Sequence, residues 1–513
     1  MLGKLRHLAV PIAIQIGCGL TYGSCFPPHA WNALTWVVLV PALLAMRRAS
    51  IGEAALLGGV LAFSGACVTV DWLLGAVVVY FEQSLLAGIS LFAAIVLVMV
   101  VPPYAAFAAW YRAGANRAGR ALPLFAAAAW IGGEYFRANF LGGNPWVLIG
   151  YSQARVAPVI AIAGLGGVYA VGFVVILANL TLAELWWRRR EPGVWKVALP
   201  ALLLLPLTLA YGRAQSATAP GSTGGAPAGV DVAVIQGNLD LGTQWRSELY
   251  GRNLDLYLRA SLREIRQSHP QLIVWPESAL SFFLEREPLY QQSIASVLGQ
   301  GNTQLIAGGP HAIDAAESQF YNSALLVNPN GQVIGRYDKE LLLPFAEYQP
   351  FRRLDLSNRD FGQVREFIPG QPRSPLPAVG GPTGVLICNE ALFPEIARAR
   401  ALAGATYLVT LTNDTWIGSE KFARISFDMA VTRAVEQRRY LIRASTSGPS
   451  AIIAPDGAVI TESPDFREAS IRGRIEPRTD LTLYARTGDL LARLCAAVAL
   501  LAPIWWLVAG ATR

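Results

Sequence analysis

From Leu272 to Glu277 the chain reads Leu-Ile-Val-Trp-Pro-Glu. The apolar, partly β-branched run has the length of a strand and is far too short to cross a bilayer. Pro276 ends it, because proline has no N–H to give to a central ladder. An acid follows at once. The same grammar recurs twice: QVIGRY (332–337) runs into Asp338-Lys339, and GVLI (384–387) runs into Cys388-Asn389-Glu390. Working outward, VDVAVIQ (230–236), QLIAG (304–308), SALLVN (323–328), YLVTLT (407–412) and SAIIA (450–454) also read as strands. Asn328-Pro329-Asn330-Gly331 and Pro455-Asp456-Gly457 are turn signals, and 254–267 and 422–439 read as helices. Strands interleaved with helices imply a layered α/β domain.

The rest of the chain has another character. Of 513 residues, 53% are hydrophobic and 15% charged, and the mean hydropathy is +0.38. Water-soluble domains carry about 25% charged residues. Apolar runs of about membrane length lie at 7–23, 31–46, 54–74, 86–109, 121–136, 158–185, 195–212 and 490–509. The first, preceded by Lys4 and Arg6, has no small-x-small cleavage site and reads as an uncleaved span. The basic clusters Lys4/Arg6, Arg47/Arg48, Arg112/Arg117/Arg120, Arg188–Arg190 with Lys196, and Arg513 share one side of an eight-span arrangement with both termini in the cytoplasm. The net charge of +7 is therefore topogenic, and nucleic-acid binding is not expected. Residues 214–229, rich in Ala, Gly, Ser, Thr and Pro, read as a flexible linker. The expected division is a membrane domain of seven spans (1–212), a linker (213–229), a non-cytoplasmic catalytic domain (230–477), and a connector with the eighth span (478–513). Asp71 and Glu134, within or beside spans, read as satisfied polar residues, with a functional acid as the alternative.

Carboxyl ends of strands are where α/β proteins gather their chemistry. Glu277, Lys339 and Cys388 stand at three such ends. A carboxylate can take the thiol proton, the thiolate can attack a carbonyl, and the ammonium can stabilise the oxyanion. The residues alone also allow a bland reading, with Cys388 a small buried hydrophobe and the charges in solvated loops. The five scattered cysteines and four histidines form no disulfide framework and no metal-ligand spacing, so neither a metal nor a cofactor is expected. Arg433, Arg438 and Arg439 read as a solvated helix face, with headgroup phosphates as the alternative.

At these residues the chain resembles the nitrilase superfamily, whose catalytic set is Glu-Lys-Cys. Across nearly its whole length it resembles the bacterial apolipoprotein N-acyltransferases. The motifs are Gly143-Asn144-Pro145-Trp146, Gly150-Tyr151-Ser152-Gln153, Gln236-Gly237-Asn238, Trp275-Pro276-Glu277-Ser278, Pro344-Phe345-Ala346-Glu347-Tyr348, Cys388-Asn389-Glu390, Thr412-Asn413-Asp414-Thr415-Trp416 and Tyr484-Ala485-Arg486-Thr487-Gly488. The resemblance implies a multi-pass α-helical membrane domain carrying an αββα sandwich. It implies Glu277 as general base, Lys339 as oxyanion stabiliser and Cys388 as nucleophile. Glu347 would support the lysine and the base, and Trp245, Glu390 and Trp416 would lie around the pocket or its lid. It implies a phospholipid acyl donor, a diacylglyceryl lipoprotein acceptor, a thioester intermediate, and an inner-membrane location with the catalytic domain on the periplasmic side. A membrane-tethered hydrolase, or a paralogue with another acceptor, is the alternative. The chain departs from the family at Asn389, where Tyr is usual, at Ala346, where Gly is usual, at Ser426, where a lid His is common, and at 445–448.

Overall fold

The computed structural model describes residues 7–217, 229–240, 246–313, 319–344, 346–348, 367–372 and 374–511. The chain divides into two compact units. One comprises Met1–Leu74, Leu86–Ala217 and Thr487–Arg513, and the other Gly75–Leu85 and Thr218–Arg486.

The first unit is helical: α1 (Ala9–Ser24), α2 (Val40–Arg48), α3 (Ile51–Thr69), α4 (Leu85–Gly114), α5 (Leu122–Asn139), α6 (Ala163–Trp187), α7 (Leu199–Ala217) and a C-terminal helix, Leu490–Ala511. Among the described residues, four helices are long and apolar enough to cross a membrane: Ile51–Thr69, Leu85–Gly114, Ala163–Trp187 and Val194–Gln215. A capping box starts α3, with Ser50 accepting from the Glu53 amide and Glu53 from the Ser50 amide. Glycines let helices meet backbone to backbone. A Cβ on Gly19 would lie 2.5 Å from the Leu61 carbonyl oxygen, and one on Gly58 would lie 2.5 Å from that of Tyr104. The apolar run at 31–46 is not one helix. A short turn at Asn32–Trp36 precedes α2, whose start at Val40 is set by Pro41 in its first turn. Helix α7 runs to Ala217, beyond the expected start of the linker, and 218–228 lie outside the described residues.

Two buried acids of this unit accept hydrogen bonds from other segments. Glu184 of α6 accepts from Arg47 at 3.0 Å, Arg188 at 2.8 Å and Tyr111 at 3.2 Å. Glu134 of α5 accepts from the Ile149 amide at 2.8 Å, and Arg137 donates to the Trp146 carbonyl at 2.9 Å. These two side chains bond the irregular segment after α5, whose buried backbone polar groups need partners inside the protein.

The second unit holds two mixed six-stranded sheets. The first has the order β12-β1-β2-β3-β4-β5, and the second β11-β10-β9-β8-β7-β6. The strands are β1 (Val230–Gln236), β2 (Leu272–Val274), β3 (Gln304–Ala312), β4 (Phe320–Val327), β5 (Val333–Asp338), β6 (Leu376–Ala378), β7 (Gly381–Ile387), β8 (Tyr407–Thr412), β9 (Leu441–Ser445), β10 (Ala451–Ile453), β11 (Val459–Glu462) and β12 (Ala469–Ile475). Strands β1, β2 and β3 are parallel, as are β7, β8 and β9, and antiparallel strands flank both sets. Val232, Val274, Ile306 and Leu326 of the first sheet share a buried core with Val385, Ile387, Val409 and Ile442 of the second. Alternate residues face outward. Ala233, Ile273 and Leu305 pack on α8 (Tyr250–Ser268) and α9 (Pro288–Leu298). Leu386, Leu408 and Leu441 pack with α10 (Pro394–Leu402) and α11 (Glu420–Gln437). The layers are therefore α-β-β-α, as expected, although β6, β9, β11 and β12 were not foreseen.

The arginines around the end of α11 are no solvated face. Arg433 and Arg439 are buried, Arg433 on Glu436 at 2.9 Å and Arg439 on the Ala405 and Asp480 carbonyls at 2.7 and 2.6 Å. Only Arg438 is more open, paired with Asp480.

Leu272 is fully buried between the sheets. Leu272→Ala should cost about 2–5 kcal/mol, seen as a lowered midpoint in thermal unfolding of the detergent-solubilised chain. An unchanged midpoint would contradict this packing.

Candidate active site

Four strand ends build the site. Trp275 anchors the first: its ring is fully buried beside Tyr257, and its Nε1 donates to Ser261 Oγ at 2.9 Å. Pro276 and Glu277 then turn across β3. A Cβ on Gly308 would lie 2.6 Å from Glu277 Cα and from the Pro276 carbonyl oxygen, so only glycine allows that crossing. Ser278 completes the turn with φ +57°. Lys339 follows β5, its amide bonded to the Asn322 carbonyl on β4 at 2.8 Å. Cys388 follows β7 with φ +54°, a left-handed conformation that a side chain adopts at a cost of about 1–3 kcal/mol. Glu390 holds that elbow. Its carboxylate accepts from the Ile387 amide, the Glu340 and Leu341 amides and the Tyr337 hydroxyl, at 2.7, 2.7, 3.1 and 2.8 Å. Glu390 thus ties the nucleophile's turn to the segment after Lys339.

The expected trio converges. Lys339 Nζ lies 3.6 Å from Glu277 Oε1 and 2.8 Å from Glu347 Oε2, and the charges of Glu277 and Lys339 both act on the Cys388 thiol. Glu347, from the segment after β5, also accepts from the Leu343 amide at 2.7 Å. Asn322 was not foreseen. Its amide nitrogen donates to Glu277 Oε1 and Glu347 Oε1, both at 2.8 Å, and so bridges two carboxylates of like charge. It stands near the start of β4, just before the run 323–328 that read as a strand, so the sequence pattern did not mark it. The Asn413 amide donates to Glu277 Oε2 at 2.8 Å.

The electrostatics follow. Burial pushes the Glu277 carboxyl above the usual carboxylate range, and Lys339 opposes it. Burial and the Glu277 carboxylate raise the Cys388 thiol, again against Lys339. For Lys339 burial pulls down, but Glu347 and Glu277 outweigh it and hold the ammonium charged. The resting site thus stores a thiol, a carboxylate that welcomes a proton, and a fixed positive charge. That set can do nucleophilic acyl chemistry.

Trp416 is half-buried, its ring 5.2 Å from that of Tyr80 and 6.1 Å from that of Phe422. Trp245 lies outside the described residues. Ser426 is buried and accepts from Arg443 at 3.1 Å, and Asn389 donates to the Leu341 carbonyl at 3.2 Å. Among the described residues no group of three His, Cys, Asp or Glu could hold a metal ion.

This fold and site define a nitrilase-type acyl-transfer centre, and residues 231–479 match the carbon-nitrogen hydrolase family. Residues 18–181 match the apolipoprotein N-acyltransferase N-terminal domain. The chain is 34% identical over 485 residues to an apolipoprotein N-acyltransferase of Geobacter metallireducens, covering 93% of this chain and 92% of that one. It is 32% identical to the protein of that name from Pseudomonas syringae pv. tomato, covering 92% of each. Among solved structures, an amidase from Nesterenkonia sp. is 20% identical with a TM-score of 0.38, over 52% of this chain and 96% of the amidase. The chain belongs to the apolipoprotein N-acyltransferase family, a family of membrane enzymes.

Gly308→Ala should displace Glu277 and reduce acyl transfer steeply while membrane insertion persists. Full activity would contradict the close approach. Lys339 supplies a second expectation. Its raised pKa means that its stabilisation is complete below about pH 10.4 and is lost as pH rises through the folded value. Removing it leaves two buried carboxylates unneutralised, a loss of about 3–5 kcal/mol. Glu277, also raised, favours the fold when protonated, and that favour fades as pH rises through its folded value. The gap in thermal midpoint between wild type and Lys339→Met should therefore narrow as pH falls from neutral into the acid range. A pH-independent gap would contradict the arrangement.

Proposed function

We propose that this protein transfers a fatty acyl chain from a membrane phospholipid to the N-terminal amine of a diacylglyceryl-cysteine apolipoprotein, through a thioester on Cys388. The observation that carries the proposal is the meeting of Glu277, Lys339 and Cys388, braced by Glu347, in a chain of this family. Glu277 takes the thiol proton. The thiolate attacks the ester carbonyl, and Lys339 faces the oxyanion that forms. The C–O bond breaks, the glyceryl oxygen recovers the proton from Glu277, and lyso-phospholipid leaves. The acceptor amine then attacks the thioester, the C–S bond breaks, and the amine proton passes by way of Glu277 to the sulfur, regenerating the thiol. Glu347 keeps the ammonium in place. Trp245 and Trp416 belong to the pocket or its lid, and Glu390 supports the nucleophile's turn. The chain has no need of a metal or cofactor in this scheme.

Both substrates are lipids, which accounts for a catalytic fold within a membrane-spanning chain. We assign eight spans, seven within 1–212 and one within 478–513, flanking a linker at 213–229 and a catalytic region at 230–477. The basic clusters favour cytoplasmic termini and a periplasmic catalytic region in the bacterial inner membrane.

Mass spectrometry of purified protein given phospholipid and a diacylglyceryl-cysteine peptide, beside Cys388→Ala, tests this reading. N-acylated peptide and lyso-phospholipid should form with the wild type only. Transfer by Cys388→Ala would refute the nucleophile, and a thioester yielding only free fatty acid would make the protein a hydrolase.

A further inference from the structure

The β7/β8 register places a hydroxyl beside the thiol. Ile387 pairs with Leu411 in parallel alignment, so the next residues along, Cys388 and Thr412, stand side by side at the two strand ends. Thr412 Oγ1 lies 3.7 Å from Cys388 Sγ, within hydrogen-bonding reach of sulfur, and 3.3 Å from Asp414 Oδ1. A hydroxyl has one proton to give. It can serve the sulfur or the carboxylate, but not both at once.

The setting of Asp414 makes that choice consequential. Its other oxygen, Oδ2, accepts from Arg443 at 3.0 Å and from Ser445 Oγ at 2.8 Å. Asp414 and Arg443 are each about 1% exposed, and Arg443 is held further by the Pro449 carbonyl at 3.1 Å and by Ser426. The Asp414 charge is thus already balanced from behind. Its Oδ1 is one of the two acceptors within reach of the Thr412 hydroxyl, and Cys388 Sγ is the other. The serine at 426 fits this network by accepting from Arg443.

We propose that Thr412 is a further catalytic residue, whose hydroxyl turns from Asp414 Oδ1 to Cys388 Sγ as the thiol ionises and so stabilises the attacking thiolate. The proposal rests on Cys388 being the nucleophile. The S–H proton passes to Glu277, while the Thr412 O–H bond never breaks and only rotates. Once the acyl C–S bond forms, sulfur is a weak acceptor and the hydroxyl returns to Asp414. Asp414 and Arg443 are positioning residues.

The need for such a donor follows from the charges around the sulfur. Glu277 from the β2 end, Glu347 after β5 and Asp414 after β8 all disfavour a thiolate, and among the groups that act most strongly on the sulfur Lys339 favours it. That ammonium is shared with two carboxylates. Glu390, on the nucleophile's own turn, is occupied by four donors. Thr412 adds a hydrogen bond to the charged form, one of the ways a thiol pKa is lowered.

The test is alkylation of the full-length, detergent-solubilised protein with iodoacetamide, followed at the Cys388 peptide by mass spectrometry across neutral to alkaline pH. Thr412→Val, which keeps the shape and loses the hydroxyl, should shift the alkylation profile upward by about one pH unit, giving about tenfold slower labelling at a fixed pH below the transition. Thr412→Ser should restore the wild-type profile. Coincident profiles for valine and wild type would overturn the proposal, as would a serine variant that behaves like valine. Thermal unfolding checks that each variant is folded, and Thr412→Ala is read in place of valine if valine does not fit. Labelling reports on the thiol whether or not acyl transfer occurs. Acyl transfer surviving in Cys388→Ala would instead remove the nucleophile reading itself, so the two failures are distinguishable.

Discussion

A buried ammonium between two buried carboxylates governs the catalytic unit. Lys339 is about 2% exposed, and at that depth a charge persists only when it is paired and its partners are hydrogen-bonded. Lys339 therefore requires Glu277 and Glu347, and those acids require Asn322, the Leu343 amide and the Asn413 amide. These groups come from the ends of β2, β4, β5 and β8 and from the segment after β5. The demand for neutrality at one point thereby couples both sheets. It also tunes the reactive groups, because the ammonium that favours a thiolate on Cys388 is partly spent on its two acids.

Parallel pairing does the placing. Adjacent parallel strands end on the same side, so the residues that follow them converge without long loops. Cys388 meets Thr412 because β7 and β8 align residue by residue, and Glu277 can cross β3 because Gly308 has no side chain. The elbow at Cys388 carries backbone strain, and Glu390 offsets it with four accepted hydrogen bonds. Removing charge from solvent thus serves geometry here more than stability.

The helical unit obeys the same rule in a different medium. Glu184 is fully buried and meets Arg47, Arg188 and Tyr111. Glu134 and Arg137 satisfy a stretch of irregular backbone. Glu134 is held by the Ile149 amide through one carboxylate oxygen, while its other oxygen is buried without a hydrogen-bond partner among the described residues.

Much was legible from local pattern. Strand-length apolar runs, their Pro and Gly boundaries and the membrane-length segments are properties of a few to about twenty consecutive residues, and they located eight of the twelve strands, most helices and the strand ends bearing Glu277, Lys339 and Cys388, whereas the two-sheet sandwich came from the resemblance. The short strands β6 and β11 lacked a strong run, and β9 was hidden by Arg443 in its middle. Arg433 and Arg439 misled for a related reason: a charged residue looks solvated until its buried partner is known. Asn322, Thr412, Asp414 and Arg443 drew no notice as a set. The Asn413 amide and the Glu277 carboxylate that it serves are 136 residues apart, and Asn322 and Glu277 are 45 apart. The sequence by itself determined which residues end the strands and which segments are apolar, because those depend on neighbours along the chain. Only the tertiary structure decided which polar groups are buried together and which proton each can share, because burial and partnership are set by the pairing of strands that the sequence keeps far apart.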